Sequence, residues 1–291
     1  MIGVERPDVL KPVDYLAIGH VTHDLLPDRS VAVGGTAAYA ALTAAALGRV
    51  TGVLTSVGKD FPLRALGDGI VMVSQVSDVT TTFENIYIDG HRRQVVYRIA
   101  SPLHVGLLPE VWRASPIVHI GPVMEECAPE LVAAFDPTTF IGITPQGWMR
   151  TRNGEGHVHP RRWQPPQELL ERASAVVFSE DDVGGDWDVV RTYAEALRLL
   201  VVTAGPRGGV LYWEGTPYPF PALEVPEVDP TGAGDIFAAV FFSTLASGQT
   251  PLRAARFAAC VASRSVTRCG LDGVPRPADL SFCETMVQAM S

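Results

Sequence analysis

Hydrophobic positions along the chain fall into short continuous runs separated by longer amphipathic or Ala-rich stretches. Runs at 15–19, 50–57, 117–120, 140–144, 175–178 and 199–202 have the length and continuity of buried strands. Between them, an Ala-rich stretch over 36–47 that stops at Gly48 predicts a helix. Residues 167–172 and 187–197 also read as helices. Thr250-Pro251 has the cap-then-proline order of a helix start, which 252–266 continues. Buried strands alternating with helices predict an α/β fold, a mostly parallel sheet covered on both faces.

One region breaks the alternation. Residues 80–88 and 91–99 are rich in Thr, Tyr, Ile and Val and are joined by Asp89-Gly90, a hairpin signal. A hairpin inserted in such a series either projects from the main sheet or forms its edge.

Bulk properties narrow the function. A chain of 291 residues can bury one large α/β core, or one core with a small appendage. A net charge of −9 and a pI near 5.2 argue against nucleic acid as a partner. Cys127, Cys260, Cys269 and Cys283 form no C-x-x-C pair and read as reduced, mostly buried thiols of a cytoplasmic protein. The first 13 residues carry Glu5, Asp8 and two prolines, unlike a signal peptide, and the apolar runs are too short or interrupted for a membrane span. No internal repeat or low-complexity tract is present.

The chemistry concentrates at 228–235, Val-Asp-Pro-Thr-Gly-Ala-Gly-Asp, followed at once by an apolar stretch. Gly232, Ala233 and Gly234 carry their amides into the start of a predicted helix, where free N–H groups attract anions. Asp235 closes the turn as a carboxylate able to take a proton from an attacking hydroxyl. A Gly-rich turn capping a core helix is the plainer alternative. A second group lies in the first half. Asp24 follows Gly19 beyond the first strand, and Gly34-Gly35 opens the Ala-rich helix. A carboxylate at a strand's carboxyl end can accept hydrogen bonds from paired hydroxyls, or can be a solvated loop residue. Other patterns fail. Residues 52–59 do not meet the P-loop spacing, no Gly-x-Ser-x-Gly elbow occurs, and His157 with His159 reads as loop rather than metal site.

The 228–235 segment resembles the D-T-x-G-A-G-D signature of the ribokinase-like (PfkB) family of sugar and nucleoside kinases, with Pro230 where the family usually has Thr. Gly19 to Asp24 is similar to its G-x-x-x-x-D element, and 34–48 to its G-G-x-x-x-N-x-A element ending in Leu-Gly, with Tyr39 in place of Asn. The stretch 202–210 resembles T-x-G-x-x-G, and 179–182 resembles N-x-x-E with Ser179 and Asp182 substituted. Residues 145–150 resemble D-P-Q-G-W-x-R, with Thr144 for the Asp.

The resemblance spans 15–280 and implies a single ribokinase-like domain over 1–291, a three-layer α/β/α fold with a small β lid built from 25–33 and 80–99. It implies an ATP-dependent kinase acting on a hydroxyl of a small sugar, polyol (inositol among them) or nucleoside. Asp235 would be the base, and Gly232, Ala233 and Gly234 the anion hole. Asp24, Gly34, Gly35 and Tyr39 would bind the acceptor, Tyr39 by its phenol, by stacking, or only as core. Thr203, Gly205, Gly208 and Ser179 would border ATP, and Asp182 would help to arrange Mg²⁺ unless it is a helix-end residue. Asp229 and the Thr231 carbonyl, with the turn 268–270, would form a K⁺ place, the alternative being that Asp229 caps the helix. Arg150 would face substrate or pair with a surface acid. Homodimers through the lids are common in the family. A catalytically silent sugar- or nucleotide-binding regulator on the same fold is the alternative function.

Overall fold

The computed structural model describes residues 2–4, 10–62, 64–88 and 91–289. In chain order, β1 (Ile2–Val4) and β2 (Tyr15–Ile18) precede a hairpin of β3 (Thr22–Leu25) and β4 (Val31–Gly34). Helix α1 (Thr36–Ala46), β5 (Thr51–Val57), β6 (Ile70–Val76), β7 (Thr82–Ile88) and β8 (His91–Arg98) follow. The middle of the chain holds β9 (Ile117–Ile120), β10 (Phe140–Ile143), the short pair β11 (Arg150–Arg152) and β12 (Val158–Pro160), α2 (Gln167–Arg172), β13 (Ala175–Ser179) and α3 (Trp187–Ala196). Then come β14 (Leu199–Thr203), β15 (Gly209–Trp213), β16 (Thr216–Phe220), α4 (Ala233–Ala246), α5 (Pro251–Ser265) and α6 (Pro277–Gln288).

The main sheet runs β1-β6-β5-β2-β9-β10-β13-β14-β15-β16. It is parallel from β6 to β14, with β1 at one end and β15–β16 at the other antiparallel. Pro217 and Pro219 sit in the edge strand β16, where a missing N–H costs no ladder bond.

The two faces divide the strand residues by the period of two. Leu16, Ile18, Val118, Ile120, Ile141 and Ile143 join the cluster that holds Leu169 of α2 and Val190 and Tyr193 of α3. Tyr15, Ala17, Ile117, Val177 and Val201 face the other way, toward α1, α4 and α5. Helix α4 is buried from Ile236 to Ser243, as expected for a helix apolar all round. This is the three-layer arrangement expected from the sequence.

A separate four-stranded sheet, β4-β3-β7-β8, stands apart from the main one. The hairpin therefore projects rather than forming an edge. Its two strands pair from Thr82↔Arg98 to Ile88↔His91, while the predicted turn Asp89-Gly90 lies outside the described residues, as do Glu5 and Asp8. The first arm begins at Thr22, three residues before the expected boundary.

The cysteine expectation needs correction. Cys260 of α5 and Cys283 of α6 face each other in the helix layer with Cα atoms 5.6 Å apart and are joined as a disulfide. Cys127 is a buried free thiol and Cys269 an exposed one. Among the described residues no helix is long and apolar enough to cross a membrane.

Candidate active site

The parallel strands β2, β9, β10, β13 and β14 deliver their carboxyl ends to one side, where ligands gather in open α/β sheets. The four-stranded sheet overhangs that side. Between them lies a cleft of about 1080 Å³. Asp24, Phe83, Asn85, Arg93 and Gln94 line it from the smaller sheet, and Gly35, Thr36 and Tyr39 from α1. Ser179, Asp181, Asp182, Thr203 and Gly205 form the far wall, and 230–235 the remaining end.

Helix α4 starts at the mouth of this cleft. Its N-cap, Gly232, has φ +78°, and a Cβ there would lie 2.3–2.5 Å from the ring of Tyr39. Only glycine satisfies both the left-handed turn and the aromatic ring packed against it. The Ala233 N–H donates to the Pro230 carbonyl, so this amide is already engaged within the turn. Among the described residues no hydrogen bond engages the Gly232 or Gly234 amides. Asp235 lies in the first turn of α4, half-buried, where the helix dipole favours a negative charge.

Asp24 faces the cleft from β3. It accepts from the Thr22 hydroxyl at 3.1 Å. Its carboxylate lies over Gly34, where a Cβ would come within 2.3 Å of Oδ2. Gly34 thus makes room for Asp24 and does not itself line the cleft. Tyr39 is 2 % exposed and connects the two ends. Burial, then the charges of Asp24, Asp235 and Asp229, raise its phenol well above its ordinary pKa.

The far wall is held by local caps. Ser179 caps the short helix that follows β13, its Oγ accepting from Asp181 N–H at 3.3 Å. Asp182 accepts from Ser179 N–H at 2.9 Å and from Gln146 Nε2 at 3.0 Å, and Arg150 lies 3.9 Å away. The Asp182 and Arg150 side chains are 8 % and 13 % exposed. Arg150 therefore pairs with an acid inside the cleft rather than on the surface. Asp182 is both a helix-end residue and a lining residue. Gly208 packs against the Phe220 backbone and does not line the cleft.

Asp229 sits behind the lining. Its Oδ1 accepts from Thr231 N–H at 2.9 Å and its Oδ2 from Gly270 N–H at 2.7 Å. It ties the segment before α4 to the turn after α5.

Several lining residues carry no motif signal. Asn85, Arg93 and Gln94 enter only because β7 and β8 fold over the site. His157 and His159, read as loop from sequence, line the cleft too. The segment that leads into β12 is held against the smaller sheet, with Val95 bridged to His157 and Val96 N–H donating to the Gly156 carbonyl at 2.9 Å.

The pfkB carbohydrate kinase family model matches residues 171–278, which include the start of α4 and Asp235. Over this segment the chain resembles the pfkB carbohydrate kinases. It is 28% identical over 264 residues to the cytidine kinase of Thermococcus kodakarensis, covering 81% of this chain and 90% of that protein. It is also 28% identical over 268 residues to a fructokinase of Klebsiella pneumoniae, covering 80% and 85%. Among solved structures, a pyrophosphate-dependent kinase of the ribokinase family superposes with TM-score 0.78 at 22% identity, covering 92% of this chain and 99% of that one. The ribokinase of Thermotoga maritima does so with TM-score 0.72 at 19% identity, covering 94% and 99%. These relatives are named as kinases, which supports reading this chain as a phosphotransferase with an alcohol acceptor.

Proposed function

We propose that this chain is a PfkB-family kinase that moves the γ-phosphoryl group of ATP to a hydroxyl of a small sugar, polyol or nucleoside. The observation that carries the reading is the shared cleft. Asp235, beside the unengaged Gly232 and Gly234 amides, enters it from one end, and Asp24 enters it from the smaller sheet.

Asp235 accepts the proton of the attacking hydroxyl as its oxygen forms a bond to the γ-phosphorus. The bond from that phosphorus to the bridging oxygen breaks, and ADP leaves. The amides at the start of α4 and the helix N-terminus face the charge on the transferring group, so catalysis here is positioning plus electrostatics. Asp24 holds substrate hydroxyls, with Thr22 fixing its carboxylate. Thr203 and Gly205 border the donor phosphates.

Both Asp182 oxygens already accept protein hydrogen bonds, which suits contact with a Mg²⁺ hydration shell more than direct ligation. Mg²⁺, when bound, neutralises phosphate charge. Asp229 keeps the Thr231 carbonyl and the turn at Gly270 together, the arrangement proposed for K⁺.

The test is turnover followed by ³¹P NMR, with cytidine, fructose and myo-inositol as acceptors and ATP or pyrophosphate as donor. Phosphorylated product from one acceptor with ATP supports the reading, and product with pyrophosphate alone corrects the donor. No product from any pair, while ligands still bind, would favour the silent regulator.

A further inference from the structure

A buried polar chain runs beneath the acceptor half of the cleft. The Tyr15 hydroxyl lies 2.8 Å from Nδ1 of His119, and Nε2 of His119 lies 2.9 Å from Oγ1 of Thr144. Tyr15 and His119 are 0 % and 1 % exposed, whereas Thr144, 7 % exposed, lines the cleft. The His119 ring packs edge-on against Phe242 of α4 at 5.0 Å, so apolar contact fixes its plane. Thr144 belongs to the acceptor side. A Cβ on Gly121 would meet Thr144 Oγ1 at 2.7 Å and the Thr36 methyl at 2.3 Å, and Thr36 opens α1 directly after Gly34-Gly35.

The donor and acceptor inventory of these three side chains sets the direction of the chain. Burial holds the imidazole neutral, with a pKa near 3, so one ring nitrogen donates and the other accepts. Among the described residues His119 is the one hydrogen-bond partner of the Tyr15 hydroxyl and of the Thr144 hydroxyl. If Nδ1 carried the proton, the fully buried Tyr15 O–H would have no acceptor, a cost of about 1–3 kcal/mol. Tyr15 therefore donates to Nδ1, and Nε2–H donates to Thr144 Oγ1. The Thr144 proton is then left to point into the cleft.

We propose that Tyr15 and His119 are positioning residues that fix Thr144 as a hydrogen-bond donor to an oxygen lone pair of the acceptor substrate. Asp24 accepts protons from the substrate and Thr144 supplies one. The pair selects an acceptor that shows hydroxyl protons on one side and a ring, carbonyl or hydroxyl oxygen lone pair on the other. This deepens the kinase reading and rests on it for the identity of the ligand, but not for the direction of the chain.

Long-range ¹H–¹⁵N correlation on ¹⁵N-histidine protein at pH 7.5 reads the tautomer without any turnover. The His119 signal is identified by its loss in His119→Asn or, should that variant not fold, by its shift in Thr144→Val. We expect a protonated Nε2 and a bare Nδ1. A protonated Nδ1 overturns the proposal, whether or not the protein is a kinase. For an acceptor that turns over, Thr144→Val should raise its KM roughly 10-fold or more, as for a lost buried hydrogen bond. Thr144→Ser should restore it, and the donor KM should stay put. An unchanged acceptor KM in folded Thr144→Val also overturns the proposal.

Discussion

The start of α4 and the smaller sheet across from it supply one cleft by opposite routes. At α4, the anion-attracting amides and the carboxylate lie within eight consecutive residues, and one left-handed glycine sets their geometry. Across the cleft, Asp24, Asn85, Arg93, Thr144 and His157 come from five separate strands or connections. A turn at a helix N-terminus is a local object and can carry chemistry by itself. Substrate-holding walls need side chains to converge from many directions, which only tertiary packing provides. In the proposed function the chemical step is therefore concentrated in a short segment, and choice of substrate is spread over the fold.

The sharpest way to break this contrast is Asp235→Asn, which keeps size but removes the base. We expect a loss in kcat of roughly 10²- to 10⁴-fold with ATP affinity little changed. Near-normal kcat would remove Asp235 from the reaction. Gly232→Ala comes next. The left-handed backbone costs about 1–2 kcal/mol and overpacking against Tyr39 about 1–3 kcal/mol more, read by urea denaturation. Tyr39→Ala in the same chain should recover the second part. Additive effects would show that the ring does not constrain the turn.

Asp24→Ala probes the other end. It should depress kcat/KM for the acceptor by roughly 10- to 150-fold, equivalent to about 1.5–3 kcal/mol, while ATP binding without acceptor stays intact. Slight thermal destabilisation with an unchanged acceptor KM would make Asp24 a loop cap instead.

A smaller effect concerns the buried support under the acceptor half. The His119 pKa falls from 6.5 unfolded to about 3 folded, so the unfolded chain binds the extra proton as pH drops below 6.5. Stability is full above that pH and is lost on acidification toward 3, at about 1.4 kcal/mol per unit, or about 2 kcal/mol at pH 5. His23, whose pKa burial also lowers, adds in the same direction. Denaturation curves between pH 7.5 and 5 measure the slope, which His119→Gln should reduce. A slope unchanged in that variant would assign the acid sensitivity elsewhere. The smallest effect is expected at Asp229, with faster turnover in K⁺ than in Na⁺ at equal ionic strength. Indifference to the exchange would leave Asp229 as a tie between the α4 turn and Gly270.

Much of the framework was legible along the chain. The strand at 117–120 and the helix at 167–172 fall where the apolar pattern puts them, because continuous buried runs and amphipathic stretches are local signals. Helix α6, the edge pair β15–β16 and strand β6 were not read, since their patterns are polar, proline-bearing or mixed and depend on neighbours for burial. The cysteines were read as four thiols because spacing says nothing about two helices meeting 23 residues apart.

By itself, the sequence determined the alternation of strand and helix, the glycine-rich turn before α4 and the carboxylate behind it. Each depends on neighbours a few residues away. Tertiary structure decided that Gly34 serves Asp24, that Arg150 meets Asp182 within the cleft, and that His157, read as loop, lines it. It also built the chain from Tyr15 through His119 to Thr144, whose members stand on three different strands or their ends. The direction of a hydrogen bond depends on which groups are buried together, and that is set only when the sheet and α4 close over them.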